Sequence, residues 1–514
     1  MENSARHLAR AVKAATTAMT PMRNNRHMFL KQYAGPYFAV RQAKEASATA
    51  TPLNMIHSLV SVVLPHLVSG CPKAMIVARR PELKEAAEIF SLAWDRMAVD
   101  IDLGSTMRTI VTDAMFGAGI IKVGLCQSEE NAAAAQEPEG YLHDNGRPFA
   151  DAIDLDDYII DPDARDRQAA AFEGNQYRLP LQYVLESGLY DRRAAGRLAP
   201  VNSPKDGAIE PMVELIDLWL PRENAVVTIS ADTDSPAGIL RRVEWDGPER
   251  GPYEVLGFHW APNNVMPIPP VAMIFDLHAM INKIARKISR QVERQKDLVL
   301  FDERCVDEAQ RVRDAADGEL VGVQSVDRYR QLSLGGADQR GYEHLAFLFE
   351  QFSRLGGNID LLGGLATQSK TLGQDEMLFA NATIRIEDMR QQTHQFTRRF
   401  GAKLAWHLWQ DPLIELPLAR NGVMATFRPE ERRGEFLDYI FDIEPYSMTQ
   451  DSPTRRYRRI VEWIDRVVLP TADIAAKQGR TLDAAALAKA AAKMLNIDEA
   501  QHLWRDAELP AANH

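Results

Sequence analysis

Residues 356–376, GGNIDLLGGLATQSKTLGQDE, contain clustered glycines followed by Ser369-Lys370-Thr371, the residue types that phosphate-binding loops use. A Walker A loop requires Gly-x-x-x-x-Gly-Lys-Ser/Thr between a strand and a helix, because the glycine lets backbone amides approach the phosphates. Here Ser369 precedes the lysine, and a helical pattern precedes the loop. Both spacing and context argue against nucleotide hydrolysis, so the segment needs another explanation.

Other catalytic motifs also fail. The glycines at 117, 119 and 124 end a helical pattern and enter a strand pattern, which is the reverse of a dinucleotide-binding fingerprint. The chain has neither Gly-x-Ser-x-Gly nor His-Glu-x-x-His. We therefore predict that the protein is not an enzyme and uses no cofactor.

The densest group of carboxylates lies between residues 154 and 166. Such a group could hold a divalent cation, since Mg²⁺ and Ca²⁺ prefer carboxylate oxygens. The spacing lacks the glycine and the terminal glutamate of a calcium loop, and turn chemistry around Pro162 explains much of the pattern. We predict no metal here, with a metal-dependent hydrolase as an alternative. The residues are Asp154, Asp156, Asp157, Asp161, Asp163 and Asp166.

Composition restricts the class of protein. The chain has 514 residues, 46% of them hydrophobic, and a net charge of −11. This acidity argues against wrapping or condensing nucleic acid, but it is compatible with DNA that slides through a channel.

The three cysteines, Cys71, Cys126 and Cys305, form no CxxC pair. The sequence therefore indicates neither a disulfide framework nor a zinc site. The chain fits a reducing compartment.

Helical patterns dominate residues 1–116. The basic first thirty residues predict an amphipathic surface helix, with a transit peptide as the alternative. The apolar segment 52–70 is interrupted by polar residues and prolines, so we predict a buried or partner-facing helix without membrane insertion. Strand patterns follow in 149–166, 212–230 and 241–260.

The pattern changes after residue 270. Residues 276–297 predict a helix with a narrow apolar stripe and basic residues on its other faces. Residues 298–334 indicate a strand, a short helix and two further strands. A helix over 341–357, the glycine-rich loop and a helix over 375–409 follow. That last helix would span on the order of 50 Å.

Read in this order, the chain resembles the portal proteins of tailed bacteriophages, the head-to-tail connectors. The succession of elements from about 270 to 410 carries the resemblance. DAMFGAGIIKVG, DLDDYIIDPDA and FDIEPYSMTQDSPTRRYRRIVEWIDRVVLP are also similar to portal sequences. The resemblance implies a mainly α fold with β structure (α+β), arranged as wing, stem, clip and crown, and forming a ring.

The resemblance also implies a division of the chain. It assigns these segments: 1–268, N-terminal wing; 269–297, first stem helix; 298–340, clip; 341–357, second stem helix; 358–374, tunnel loop; 375–450, long helix and wing return; 451–514, C-terminal helical crown. The implied assembly is a homo-oligomeric ring of about twelve copies. Its implied partners are double-stranded DNA in the channel, the terminase motor, the head-tail adaptor and the major capsid protein, with no membrane.

Two groups of residues are candidates for contact with these partners. In the tunnel loop, Lys370 would contact the DNA backbone beside the uncharged Gln368, Ser369 and Thr371; the alternative is a lysine that only keeps the loop soluble. In the clip, the candidates for binding the motor and the adaptor are Arg311, Arg313, Arg328 and Arg330; the alternative is a solvated rim.

Another ring-forming virion or tail-adaptor protein is the second interpretation of the chain. The expected location is the portal vertex of the virion, after assembly in the host cytoplasm.

Overall fold

We analysed a computed structural model of the chain. It describes residues 2–35, 53–125, 148–201, 210–232, 235–336, 338–357, 372–411, 414–420 and 423–444, with short pieces at 447–448, 462, 464–468 and 470–471. The chain divides into two compact units, Met1–Glu444 and Pro445–His514. In the second unit the described residues include a single π-helical turn, Ile464–Val468.

The first unit contains ten α-helices in its described residues. They are α1 Glu2–Ala34, α2 Met55–Leu67, α3 Lys84–Asp100, α4 Leu103–Phe116, α5 Leu181–Glu186, α6 Arg192–Ala195, α7 Pro270–Glu293, α8 Val306–Asp314, α9 Gln339–Leu355 and α10 Leu372–Gln410. None of the described helices is long and apolar enough to cross a membrane.

Fourteen strands form five antiparallel sheets within the described residues. The strands are β1 Ala74–Ala78, β2 Gly119–Leu125, β3 Pro148–Ile153, β4 Tyr158–Ile160, β5 Glu173–Pro180, β6 Met212–Leu220, β7 Ala225–Ser230, β8 Ile239–Glu244, β9 Tyr253–Leu256, β10 Lys296–Phe301, β11 Tyr329–Leu334, β12 Leu416–Arg420, β13 Val423–Phe427 and β14 Tyr439–Ile443. The strand orders are β4-β5-β6-β7-β8, β3-β2-β9, β1-β14, β10-β11 and β12-β13.

The buried core surrounds the two larger sheets: α4 and α10 pack against the three-stranded sheet, and α1 packs against the five-stranded sheet. Helix α4 buries Met107, Ile110 and Met115 completely, and it leads directly into β2. Gly119 begins that strand, and a Cβ there would come within 2.3 Å of the Ile110 carbonyl oxygen. Only glycine permits so close a turn from helix to strand.

The structure confirms the predicted α+β class, because helices and antiparallel sheets share one compact unit. The predicted helix at 276–297 begins earlier, at Pro270, since proline is well suited to the first helical turn. It ends at Glu293 because β10 starts three residues later. The long helix predicted over 375–409 is confirmed as α10, with three additional residues at its start.

One predicted strand is missing. The sequence indicates two strands after α8, but the structure forms only β11 there, and residues 319–325 are irregular. Strand β11 pairs with β10 alone, from Tyr329 opposite Phe301 to Leu334 opposite Lys296. Because residues 319–325 have no strand beside them, their backbone cannot complete a ladder.

Candidate functional site

The candidate site is the stretch from α7 to α10, which includes all the residues that the resemblance singles out. Helices α7 and α9 are antiparallel neighbours joined by the 296–334 segment. The predicted apolar stripe of α7 consists of Leu277, Ile281, Ile284, Ile288 and Val292. Of these only Ile281 and Ile288 are buried, while Val292 is 47% exposed. On α9 the buried side chains are Leu348 and Phe352. The contact between the two helices is therefore narrow, as the sequence predicted.

The 296–334 segment exposes apolar side chains on both faces of its small sheet. Every residue of β10 is exposed, and four of them are consecutive and apolar. Leu298 and Leu300 point to one face, whereas Val299 and Phe301 point to the other, since strand side chains alternate. Their exposures are 42%, 50%, 57% and 43% in that order. A two-stranded sheet without a covering layer is marginally stable alone, and exposed apolar surface of this kind is typical of an interaction site.

The structure distributes the four clip arginines over different elements. Arg311 and Arg313 lie on α8, and Arg313 pairs with the adjacent Asp314 at 2.8 Å. Arg328 donates to Cys305 Sγ at 3.2 Å. Arg330, on β11, is exposed opposite Leu300. All four are exposed. Arg313 and Arg328 make local contacts, whereas Arg311 and Arg330 form no ion pair with a described residue.

The tunnel-loop residues Gln368, Ser369, Lys370 and Thr371 lie outside the described residues. The structure does describe both sides of that segment. Helix α9 ends at Leu355, followed by Gly356 and Gly357, and α10 begins at Leu372. Gly357 has a φ of +90°, a conformation that favours glycine.

A side chain of α10 joins the two helices that flank residues 358–371. Arg385 donates to the carbonyl oxygens of Leu355 at 2.7 Å and Arg354 at 3.3 Å. The last carbonyls of a helix have no partner within the helix and carry partial negative charge, so a guanidinium there is stabilising. Farther along α10, Arg390 donates to the His66 carbonyl at the end of α2. The long helix thus caps two other helices.

Near the end of α10, a buried ion cluster fixes the helix to β9. Glu254 is 1% exposed and lies 2.9 Å from Lys403, 3.0 Å from Arg399 and 3.2 Å from Arg167. Burial opposes charge on this carboxyl, but Lys403 and Arg167 outweigh burial and hold its pKa at about 2. Lys403 also donates to the carbonyl oxygens of residues 250, 251 and 253. The buried ammonium therefore has partners on the strand and on the turn before it.

Three of the six aspartates in the alternative metal interpretation have structural roles. Asp154 accepts two hydrogen bonds from the buried Arg26 of α1, at 2.8 and 3.1 Å. Asp161 accepts from the backbone N–H of residues 163 and 171. Asp166 caps the 3-10 helix Arg167–Ala169. Among the residues that the structure describes, no group of three or more His, Cys, Asp or Glu side chains could hold a metal ion.

The basic N-terminal segment forms α1, which packs into the first unit through an arginine. Arg26 also contacts Asp113 at 3.1 Å, and its side chain is only 5% exposed. Val12, Ala15 and Met19 are buried on the same helix. The predicted amphipathic helix is therefore confirmed.

Sequence patterns did not identify the buried Lys403 and His407 of α10, although a signal was present. Phe396, Phe400 and Leu404 form an apolar face at helical spacing, and Lys403 and His407 lie beside it. A lysine next to a buried stripe indicates a buried partner, because an unpaired ammonium is costly in an apolar core. The partner itself, Glu254, could not be predicted because it lies about 150 residues away in the sequence.

Comparisons with known proteins show no family: no protein-family model matches the chain, and a search of the curated proteins found no significant match.

Proposed function

We propose that this chain is a portal protein of a tailed bacteriophage, a structural protein without enzymatic activity. Copies of it would form a closed ring of about twelve subunits at one capsid vertex, in contact with the major capsid protein. The ring would be the conduit for genome packaging and ejection. It would also be the docking site for the terminase motor and the tail adaptor, after assembly in the host cytoplasm.

The observation that carries this proposal is the exposed sheet between two antiparallel helices. Strand β10 places four consecutive apolar residues in solvent in the single chain. At roughly 25 cal/mol per Å² of apolar area, covering both faces is strongly favourable. A ring supplies that cover, because each copy has a neighbour on either side and head-to-tail contacts can close.

The anchoring of α10 supports the same proposal. The helix is fixed at one end by the Glu254 cluster and joined to α9 by Arg385. Residues 358–371 thus connect two supported helices. In the proposed ring this segment is the predicted tunnel loop 358–374 without its last three residues, which begin α10. Lys370 would contact DNA, with Gln368, Ser369 and Thr371 as its neighbours. The exposed arginines Arg311 and Arg330 would be available to the motor and the adaptor, with Arg313 and Arg328 contributing.

The direct test is the assembly state of the purified full chain. Negative-stain electron microscopy should show rings with a lumen wide enough for duplex DNA. Mass photometry should give about 690 kDa, twelve times the chain mass of 57.6 kDa. A stable monomer would contradict the proposal. A ring of clearly different size without such a lumen would favour the second interpretation, a virion or tail-adaptor protein.

A matched pair of variants tests the role of the exposed sheet. Val299→Asp should convert rings to monomers, because it would bury an unpaired carboxylate between subunits. Val243→Asp makes the same change on strand β8, where the valine is 41% exposed, and should leave rings intact. If both variants form rings equally well, the 296–334 sheet is not the contact between copies.

A further inference from the structure

Helix α7 carries a row of basic side chains on the face that points away from α9. Their spacing of i, i+3, i+4, i+7 and i+11 places them on one side of the helix. We call them the α7 basic stripe: Lys283, Arg286, Lys287, Arg290 and Arg294. All five are exposed, whereas Ile281 and Ile288 on the opposite side are buried. Ile288 lies against Gly341, at the start of α9.

The stripe has little compensating negative charge nearby. The only acidic residue between Lys283 and Arg294 is Glu293. In the described part of the chain, no ion pair involves a stripe residue, and Arg286 donates only to the Asn282 carbonyl, at 3.1 Å. A row of five cations that form no ion pair with a described carboxylate, on a chain with a net charge of −11, is the kind of local positive charge that attracts a polyanion.

A second copy of the helix pair is a poor complement for this stripe. The outward face of α9 presents Arg340, Glu343, Glu350 and Arg354, which is a neutral set. Glu350 is already paired with Arg354 at 2.6 Å. Neighbouring α9 helices therefore offer no acidic row to receive five cations, so packing between copies of this helix pair would leave the stripe unneutralised.

We infer that the α7 basic stripe binds the phosphate backbone of double-stranded DNA. From Lys283 to Arg294 the helix rises about 16 Å. One DNA strand presents a phosphate about every 3.4 Å along its axis, so about five phosphates lie within that length. The side chains are a mixture of lysine and arginine on a regular helix, which suits contact with a uniform charge without base recognition. This inference rests on the proposed function, in which the stripe would contact the packaged DNA. Binding of free DNA to the stripe does not require a ring and can be measured separately.

The test is salt-dependent binding of a fluorescent random-sequence DNA duplex to the full chain, followed by anisotropy. In the stripe variant, Lys283, Lys287 and Arg290 are replaced by Gln. In the matched control, the exposed Arg192, Arg193 and Arg222 are replaced by Gln, which removes the same number of positive charges far from α7 in the sequence. The stripe variant and the control variant are first compared with the unmodified chain by circular dichroism and thermal unfolding, to check that both are folded.

We expect the affinity of the stripe variant at low salt to be at least about tenfold weaker than that of the unmodified chain. The slope of log K against log salt should become shallower by about 0.9 for each phosphate that is no longer neutralised. The control should keep the slope of the unmodified chain. Equal weakening in the two variants would overturn the inference, because only net charge would then matter.

Two further outcomes separate this inference from the proposed function. If the stripe substitutions leave duplex binding unchanged but abolish the binding of poly-glutamate, the stripe binds an acidic protein surface and the inference is wrong. If the stripe variant no longer binds DNA but the unmodified chain forms no ring, the portal proposal fails and the stripe assignment stands.

Discussion

Lys403 and Glu254 form a buried ion pair, with Nζ 2.9 Å from the carboxylate, and each residue is at most 5% exposed. Lys403 lies near the end of α10 and Glu254 in the middle of β9, so the pair joins the long helix to the β2–β9 sheet. Arg167 and Arg399 contact the same carboxylate. The charge of Glu254 therefore helps to hold α10 against β9, and substitution of the residue can test this.

Replacing Glu254 by Gln should destabilise the protein by about 3–5 kcal/mol, since three cations would lose their shared buried anion. The measurement is urea unfolding followed by tryptophan fluorescence. Glu223→Gln is the matched control: its pair with Arg242 has a length of 2.7 Å but both side chains are about half exposed. The control should cost less than about 1 kcal/mol. Similar destabilisation of the two variants would show that the Glu254 cluster contributes no more than a surface pair.

Replacing Arg385 by Gln should loosen the end of α9. The variant removes a guanidinium from the carbonyls of Arg354 and Leu355, which is worth about 0.3–1 kcal/mol. Hydrogen exchange of the amides at 352–357 should become about two- to fivefold faster. Arg398→Gln, on the same helix but with a 3.8 Å contact to Asp442, is the control. Unchanged exchange at 352–357 would show that Arg385 does not hold this helix end.

His407 should make stability depend on pH. Burial, assisted by Lys403, lowers the pKa of His407 from 6.5 to about 4 in the folded protein. Between those values the unfolded chain binds a proton that the folded chain does not, so stability falls as pH decreases from about 6.5 to 4. His407→Gln should reduce this slope by up to about 1.4 kcal/mol per pH unit.

The pH prediction has an internal comparison in His278. Burial also lowers the pKa of His278 to about 4, so the single variant should retain part of the acid sensitivity. The variant with both histidines replaced by Gln should show the flattest dependence between pH 6.5 and 4. Unfolding free energies measured at half-unit intervals of pH check both statements. A single variant with the slope of the unmodified chain would rule out His407 as a contributor.

Deletion of residues 361–372 should leave assembled rings but impair DNA packaging or retention. The helices on either side remain supported by Arg385 and by the Glu254 cluster, so assembly should not depend on the deleted segment. Electron microscopy checks ring formation, and nuclease protection measures packaged DNA. Normal packaging by the deletion variant would contradict the assignment of this segment as a tunnel loop.

Local patterns in the sequence predicted the helices well where periodicity was long. The 39 residues of α10 and the 17 residues of α9 are examples. A helix buries one face, and that requirement leaves a repeating signal along many residues. Prediction failed at 319–325, where a few strand-forming residues have no neighbouring strand to pair with. Pairing is a property of two segments, so the local pattern could not decide it.

By itself, the sequence determined the α+β class, the position of the long helix and the narrow apolar stripe of α7. These follow from the spacing of apolar residues within single segments. Only the tertiary structure decided that Glu254 meets Lys403, that Arg385 caps α9 and that Asp154 binds Arg26. Each of these contacts joins residues that are distant along the chain. The attraction between two charges depends on their separation in space and on burial, and folding sets both.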